Sequence, residues 1–286
     1  MYCDLHTHSL YSDGSFTPKE LLLQAKEKNL VIALTDHNTV DGLPEFMAEA
    51  GKMGVAAVPG VELSTDWEDR EPHLLGLFIK AEHYARITEL TEEFHRLKEA
   101  SNRLLVQRLQ EAGYDIDFET VKHRNLTGNI NRAHVAAELK DKGYVTSIKE
   151  ALRTLLADGG GFYNRPRRLD LMDAIRFLHS IGAVPVLAHP LLDMKEDQLR
   201  RLLPEAMKAG LMGMEVWHES YDDEKMAVAK AVAQEFGLLE SGGSDYHGTA
   251  KPDVALGTGK GNVAVPVEVY HRLRQAAAAK EEVCAL

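Results

Sequence analysis

His6-Thr7-His8 places two imidazoles two residues apart near the start of the chain, and Asp245-Tyr246-His247 repeats that spacing near its end with a carboxylate first. Side chains two apart on an extended strand face the same way, so each pair can grip one ion. Between them lie Asp13, Asp36-His37, Glu62, His73 and His189-Pro190. Imidazole mixed with carboxylate is the donor set of zinc, manganese or iron(II), whereas magnesium and calcium sites rest mainly on oxygen. His6, His8, Asp13, His37, Glu62, His73, His189, Asp245 and His247 are too many donors for one ion. With Glu62 bridging they suffice for about two to three, and clustered ions cleave phosphate esters by activating water and neutralising phosphoryl oxygens.

Each residue taken singly has a plainer explanation. A His-x-His pair can be a polar strand end, Asp36-His37 a capped turn and Glu62 a solvated strand residue, while Pro190 can hold His189 as a rigid turn. Gly242, Gly243 and Gly248 make a turn, but they also let backbone approach a crowded ion site. The joint pattern favours metal: of thirteen histidines, six stand at strand-associated positions beside Asp or Glu, where scattered surface histidines have no reason to collect.

Such donors need strands to carry them. Apolar runs at 2–5, 30–34, 55–63 and 73–79 read as strands, with helices over 18–28 and 43–53. Thr17 is the N-cap of the first helix, with Pro18 at its first position and Glu20 in the reciprocal capping place. Strands return at 183–188, 213–217 and 238–240, separated by helices over 171–181, 195–208 and 223–236. Alternation of strand and helix favours parallel pairing, right-handed crossovers and ligands at the carboxyl ends of the strands. His73 is the exception, because it opens its strand and must reach the site from the other direction or from a loop.

Over 83–168 the alternation gives way to helical patterns at 87–112, 132–142 and 148–157, which read as an insertion. Ser147 and Glu150 offer a second capping box, Gly159-Gly160-Gly161 a flexible exit, and Arg165-Pro166-Arg167-Arg168 a basic run. The expected organisation is a barrel from 1–82 and 169–286, with 83–168 shaping the substrate pocket; length alone also allows two modest domains.

Hydrophobic residues at 44% and charged residues at 27% are ordinary globular usage, and no stretch approaches the roughly 18 apolar residues of a membrane span. The first residues show no signal-peptide pattern, so the cytoplasm is the expected compartment. Cys3 and Cys284 argue against a disulfide framework or a cysteine zinc site and are expected to be free thiols. A formal charge of −11 disfavours long duplex nucleic acid as a partner. A small phosphorylated substrate stays compatible, since three divalent ions against the carboxylates of Asp13, Glu62 and Asp245 leave a local charge of roughly +3.

Asp4-Leu5-His6-Thr7-His8-Ser9 with Ser12-Asp13-Gly14, Thr35-Asp36-His37-Asn38, Gly60-Val61-Glu62 and Gly243-Ser244-Asp245-Tyr246-His247 resemble the motifs of the polymerase and histidinol phosphatase (PHP) family. The resemblance spans both ends of the chain. It implies an α/β fold, a distorted (β/α)7 barrel related to the amidohydrolases, that binds up to three divalent ions and hydrolyses phosphoesters. One ion would take His6, His8, Glu62 and Asp245, a second Glu62, His73 and His189, and a third Asp13, His37 and His247. Manganese is the expected metal, with iron(II) or zinc as alternatives, and Asp13, His37, Glu62 and His247 are the expected catalytic residues. Glu215, in Gly213-Met214-Glu215-Val216, resembles another family element and is expected to hydrogen-bond a ligand.

Length and the helical insertion resemble the stand-alone branch of 3′,5′-nucleoside bisphosphate phosphatases and exoribonucleases that trim 5′-phosphorylated RNA. The implied reaction removes the 3′-phosphate of a nucleoside bisphosphate, with short 5′-phosphorylated oligoribonucleotides as further substrates. The second phosphate needs its own anion site, for which Asn102, Arg103, Arg132 and His134 are candidates. Arg132 and His134 would lie in the first turn of a helix, where free N–H groups favour anions; a solvated helix start is the alternative. Arg165, Arg167 and Arg168 are second choices. His218 is a candidate proton donor for the leaving alcohol, a packed or surface histidine being the simpler account. Other functional readings are a histidinol-phosphate phosphatase, an amidohydrolase acting on C–N bonds, and a metal-binding module without turnover. The amidohydrolase is disfavoured because Glu62 takes the bridging place that a carboxylated lysine holds in those relatives.

Overall fold

The computed structural model describes residues 1–124, 130–157, 159, 162–166 and 168–284, with side chains described to 279; Gly160, Gly161, Arg167 and the Cys284 thiol lie outside these. The chain forms two compact units, Met1–Thr88 with Leu169–Leu286, and Glu89–Arg168.

The first unit begins with β1 (Tyr2–Asp4), α1 (Pro18–Glu27), β2 (Leu30–Leu34), α2 (Leu43–Met53), β3 (Ala57–Asp66) and β4 (His73–Leu77). The α1 capping box forms as expected: the Thr17 side chain accepts from the Glu20 N–H, and Glu20 answers at the Thr17 N–H. Leu21, Leu22 and Ala25 are the buried face of α1, and Leu43, Phe46 and Ala50 that of α2, which ends on left-handed Gly54. In β2 Val31, Ile32, Ala33 and Leu34 are all buried, as befits a strand covered on both faces.

The second unit holds most of α3 (Tyr84–Glu111), then α4 (Phe118–Lys122), α5 (Arg132–Asp141) and α6 (Ile148–Arg153). Its own core gathers Leu105, Leu109, Val121, Val135, Leu139 and Leu156. The second capping box is only half made. Ser147 accepts from the Glu150 N–H, but the Glu150 carboxylate takes the N–H and hydroxyl of Thr146 instead of the Ser147 N–H.

The first unit resumes with β5 (Leu169–Asp170), α7 (Leu171–Ser180), β6 (Val184–Ala188), α8 (Pro190–Asp193), α9 (Glu196–Ala209), β7 (Gly213–His218), α10 (Asp223–Phe236), β8 (Leu239–Gly243), β9 (Val265–Pro266) and α11 (Val267–Cys284). Strand order is β8-β7-β6-β4-β3-β2-β1-β9, with β5 on β3. The ends of the path meet where the Leu5 N–H donates to Gly242 O at 3.1 Å and the His8 N–H to Tyr246 O at 2.9 Å, closing β1 towards β8 into a barrel. Pairing is parallel among β1, β2 and β3 and among β6, β7 and β8. The expectation of parallel strands is corrected at β4, which runs antiparallel to both β3 and β6. A short link from β3 to β4, with no helix to carry the chain back, permits only that direction. Among the described residues no helix is long and apolar enough to cross a membrane.

Candidate metal centre

The fold brings the ends of β1, β2, β6 and β8 together around Glu62, which lies within β3 and is fully buried. One Glu62 oxygen, Oε2, lies 3.1 Å from His6 Nε2, 3.2 Å from His8 Nε2 and 3.1 Å from His37 Nδ1. The other, Oε1, lies 2.7 Å from His73 Nδ1 and 3.1 Å from His189 Nε2. Asp245 Oδ1 faces His8 Nε2 at 3.2 Å and His6 Nε2 at 3.5 Å, and Asp13 Oδ1 faces His247 Nε2 at 3.2 Å. All nine residues read from the sequence as donors therefore share one network. The reversed direction of β4 puts His73, its first residue, level with Ser64 and Ala188, so it enters from the opposite strand direction.

Glu215, buried on β7, places one oxygen 3.0 Å from His6 Nδ1 and accepts the His189 N–H through the other at 2.7 Å. It thereby orients one imidazole and the main chain of a second. His189 (φ 28°) and Asp245 (φ 50°) are both non-glycine residues held in the left-handed region, as is Asn38 (φ 53°) after His37. Such strain persists only where surrounding structure enforces it, and His189 and Asp245 are both candidate donors.

His218, a candidate proton donor for which a packed or surface histidine is the simpler account, is buried, with Nε2 3.5 Å from Asp245 Oδ2 and Nδ1 accepting from the Ser220 N–H at 3.2 Å. Lys251, which the sequence did not single out, holds the same Asp245 oxygen at 2.6 Å. Its only signal is a lone lysine four residues after His247, too common a feature to notice.

Burial pulls the His6 pKa down, but Glu62, Glu215 and Asp245 together hold it well above its ordinary value. Burial is likewise outweighed at His8, where Asp245 and Glu62 raise the pKa to about 9. At His37 burial wins and lowers the pKa to about 3 despite Glu62 and Asp13. The carboxyls of Glu62, Asp13 and Asp245 lie well below the usual range: burial opposes this, and the surrounding imidazoles, led at Asp245 by the Lys251 ammonium, overcome it.

These residues suit divalent cations. The buried His189 Nδ1 has no hydrogen-bond partner among the described residues, which costs about 1–3 kcal/mol, while His8 Nε2, His37 Nδ1 and His218 Nε2 face carboxylate oxygens at 3.1–3.5 Å, pairs that a shared cation would suit. Donor atoms of His8, Asp13, His37 and His247 lie within 4.8 Å of one another, as do those of His6, His8 and Asp245 and those of His37, Glu62 and His73.

The candidates for a second phosphate lie in the second unit. Asn102 is buried and donates to Ile130 O at 3.1 Å. The Arg103 guanidinium pairs with Glu99 at 2.8 Å and Glu119 at 3.4 Å and lies over the Phe118 ring. Arg132 donates to Leu156 O at 3.3 Å and lies over the Tyr163 ring. His134 Nδ1 accepts the Asn131 N–H at 3.0 Å. The idea of free N–H groups at this helix start is corrected: the Asn131 side chain caps it by accepting from the Ala133 and His134 N–H groups.

Residues 4–175 match the PHP domain family, a span that covers the barrel's first donors through His73. The chain belongs to the PHP family. Several relatives align over most of its length. It is 32% identical over 246 residues to a 5′-3′ exoribonuclease of Haemophilus influenzae, covering 85% of this chain and 89% of that one. It is 33% identical over 251 residues to a phosphoribosyl 1,2-cyclic phosphate 1,2-diphosphodiesterase of Eggerthella lenta, covering 86% and 94%. It is also 33% identical over 248 residues to a 3′,5′-nucleoside bisphosphate phosphatase of Chromobacterium violaceum, covering 85% and 86%. Among solved structures, an amidohydrolase from Chromobacterium violaceum with bound sulfate matches at 27% identity and a TM-score of 0.84, covering 96% and 97%. A Bifidobacterium adolescentis protein matches at 24% identity and the same TM-score, covering 96% of each chain, and shares the fold of this PHP chain.

Proposed function

We propose that this PHP hydrolase removes the 3′-phosphate of nucleoside 3′,5′-bisphosphates, leaving the 5′-monophosphate, and also acts on short 5′-phosphorylated oligoribonucleotides. The carrying observation is the Glu62 carboxylate, which five imidazoles approach at 2.7–3.2 Å. A carboxylate so surrounded suits a bridging place between cations, and the flanking Asp13 and Asp245 supply the remaining negative charge. The similarity to a bisphosphate phosphatase and to an exoribonuclease supports a small nucleotide or short RNA as substrate.

About two to three divalent ions, manganese before iron(II) or zinc, would be held by His6, His8, Glu62 and Asp245, by Glu62, His73 and His189, and by Asp13, His37 and His247. Bound there, they supply Lewis acidity and activation of water. The chain's own contribution is orientation. Glu215 sets the His6 ring and the His189 backbone, while Lys251 and His218 both face Asp245 Oδ2 and leave Oδ1 turned towards His6 and His8. We further propose Arg103 and Arg132 as the cations for the second phosphate.

The test is phosphate release by manganese-loaded protein from 3′,5′-bisphosphoadenosine, 3′-AMP, 5′-AMP, histidinol phosphate, a 1,2-cyclic phosphate of ribose and a 5′-phosphorylated dinucleotide. The bisphosphate should be the best monoester. A strong preference for histidinol phosphate or for the cyclic diester would replace this reading.

A further inference from the structure

Two aspartates of the donor motifs stand outside the network just described. Asp4 and Asp36 are 0% and 2% exposed, and neither joins a group of candidate ligands. A buried carboxylate is strongly unfavourable without donors, so the donors each has gathered show what it holds.

Asp36 accepts the Ser9 N–H at Oδ1 (2.7 Å), the Ser9 hydroxyl at Oδ2 (2.6 Å) and the Ser12 hydroxyl at Oδ1 (2.6 Å). Asp4 accepts the Ser244 N–H at Oδ1 (2.9 Å) and the Ser244 hydroxyl at Oδ2 (2.5 Å), with the Gly257 N–H at Oδ2 (2.7 Å) and the His6 N–H at Oδ1 (3.4 Å). The two grips share one form: a serine gives its N–H to one carboxylate oxygen and its hydroxyl to the other. Close approach is required at the second grip, where a Cβ on Gly243 would fall 2.7 Å from Asp4 Oδ1 and 2.5 Å from the His6 nitrogen.

The gripped residues are neighbours of donors. Ser9 follows His8, Ser12 precedes Asp13, and Asp36 itself precedes His37; Ser244 precedes Asp245. One carboxylate thus ties together the main chain beside three members of the His8, Asp13, His37 and His247 group, whose donor atoms lie within 4.8 Å of one another. The hydrogen bonds of Asp36 come from the loop that carries His8 and Asp13.

We propose that Asp36 is a positioning residue that sets ion occupancy at the Asp13, His37 and His247 site through Ser9 and Ser12. The proposal rests on the metal-centre reading above. It treats Asp36 as acting through the loop, never as a ligand.

The experiment titrates Mn2+ into metal-free protein by calorimetry, counts bound manganese by elemental analysis, and follows metal-free thermal unfolding. Asp36→Ala should weaken one equivalent of Mn2+ by about 10–100-fold while the rest bind as in the native protein. Asp36→Asn should be milder, because its carbonyl oxygen still accepts from Ser9 and Ser12. Residues that work as a unit are non-additive. In an Asp13→Ala background, where that group is already broken, Asp36→Ala should cause no further loss, whereas in an Asp245→Ala background it should. Equal further loss in both backgrounds, or native Mn2+ binding by Asp36→Ala, overturns the proposal. If Asp36→Ala shows no cooperative melt, Ser9→Ala and Ser12→Ala carry the test, each deleting one hydroxyl; the expected result is the same selective weakening, and unchanged Mn2+ binding in both is the contrary one. Native protein that binds no Mn2+ sinks the metal-centre reading together with this proposal, while native binding with unaffected variants sinks this proposal alone.

Discussion

Glu62 and His73 meet at 2.7 Å between Oε1 and Nδ1, across a strand pair that runs antiparallel. His73 is the first residue of its strand, which would leave it at the wrong end of a wholly parallel barrel. The reversal of β4 turns that strand start into the level of Ala188, immediately before His189. One topological exception thereby completes the set of imidazoles around one carboxylate.

Because five imidazoles face Glu62, its charge should matter to more than one ion. Glu62→Gln keeps the shape and removes the charge, and we expect it to lose more manganese than Asp13→Ala, with turnover reduced by at least about 100-fold. Elemental analysis of both variants after reconstitution checks this. A loss no greater than that of Asp13→Ala would contradict the bridging role.

Glu215 reaches the centre through the His6 ring and the His189 N–H. Glu215→Gln should fold normally and bind Mn2+ about 10–100-fold more weakly, since the glutamine no longer fixes the His6 ring as a carboxylate does. Native affinity in a calorimetric titration would remove Glu215 from this role.

The candidate donors of this site are legible in the sequence because imidazoles beside carboxylates at strand ends form a pattern that solvated loops have no cause to repeat. His73 was readable as an exception, although the direction of β4 follows only from pairing. Asp4 and Asp36 stand inside the motifs, yet a sequence cannot tell a carboxylate that holds a loop from one that holds an ion. Lys251 carries no spacing signal, and His218 is legible only as the residue that follows the Glu215 strand. The last helix, α11, is not legible in the sequence: its run Ala276-Ala277-Ala278-Ala279 blurs the apolar stripe that marks a helix face, although Val269, Tyr270 and Leu273 are buried.

Proton linkage gives a signed expectation. His6 is held well above its ordinary pKa and His8 at about 9 against 6.5, so in metal-free protein their pairing contributes stability that is full below 6.5 and is lost as pH rises through about 9. Metal ions need the neutral rings, so binding releases protons and affinity should rise over the same window. Thermal melts of metal-free protein should fall between pH 7 and 9 while Mn2+ affinity increases. Flat profiles in both would contradict the charged pairing.

If Arg103 and Arg132 hold the second phosphate, each forms a charge-assisted hydrogen bond that a 3′-monophosphate cannot use. Arg132→Ala and Arg103→Ala should then lower kcat/KM for the bisphosphate by about 10- to 100-fold and leave 3′-AMP nearly unaffected. Equal loss on both substrates, or none on either, would show that these arginines serve the second unit's own structure.

The most direct measurement is phosphate release from 3′,5′-bisphosphoadenosine by chelated and manganese-reconstituted protein, with the nucleotide product identified. We expect negligible release after chelation, recovery with about two to three bound ions, and 5′-AMP as the product. Undiminished release from metal-free protein, or 3′-AMP as the product, would contradict the central claim that this centre cuts the 3′-phosphate.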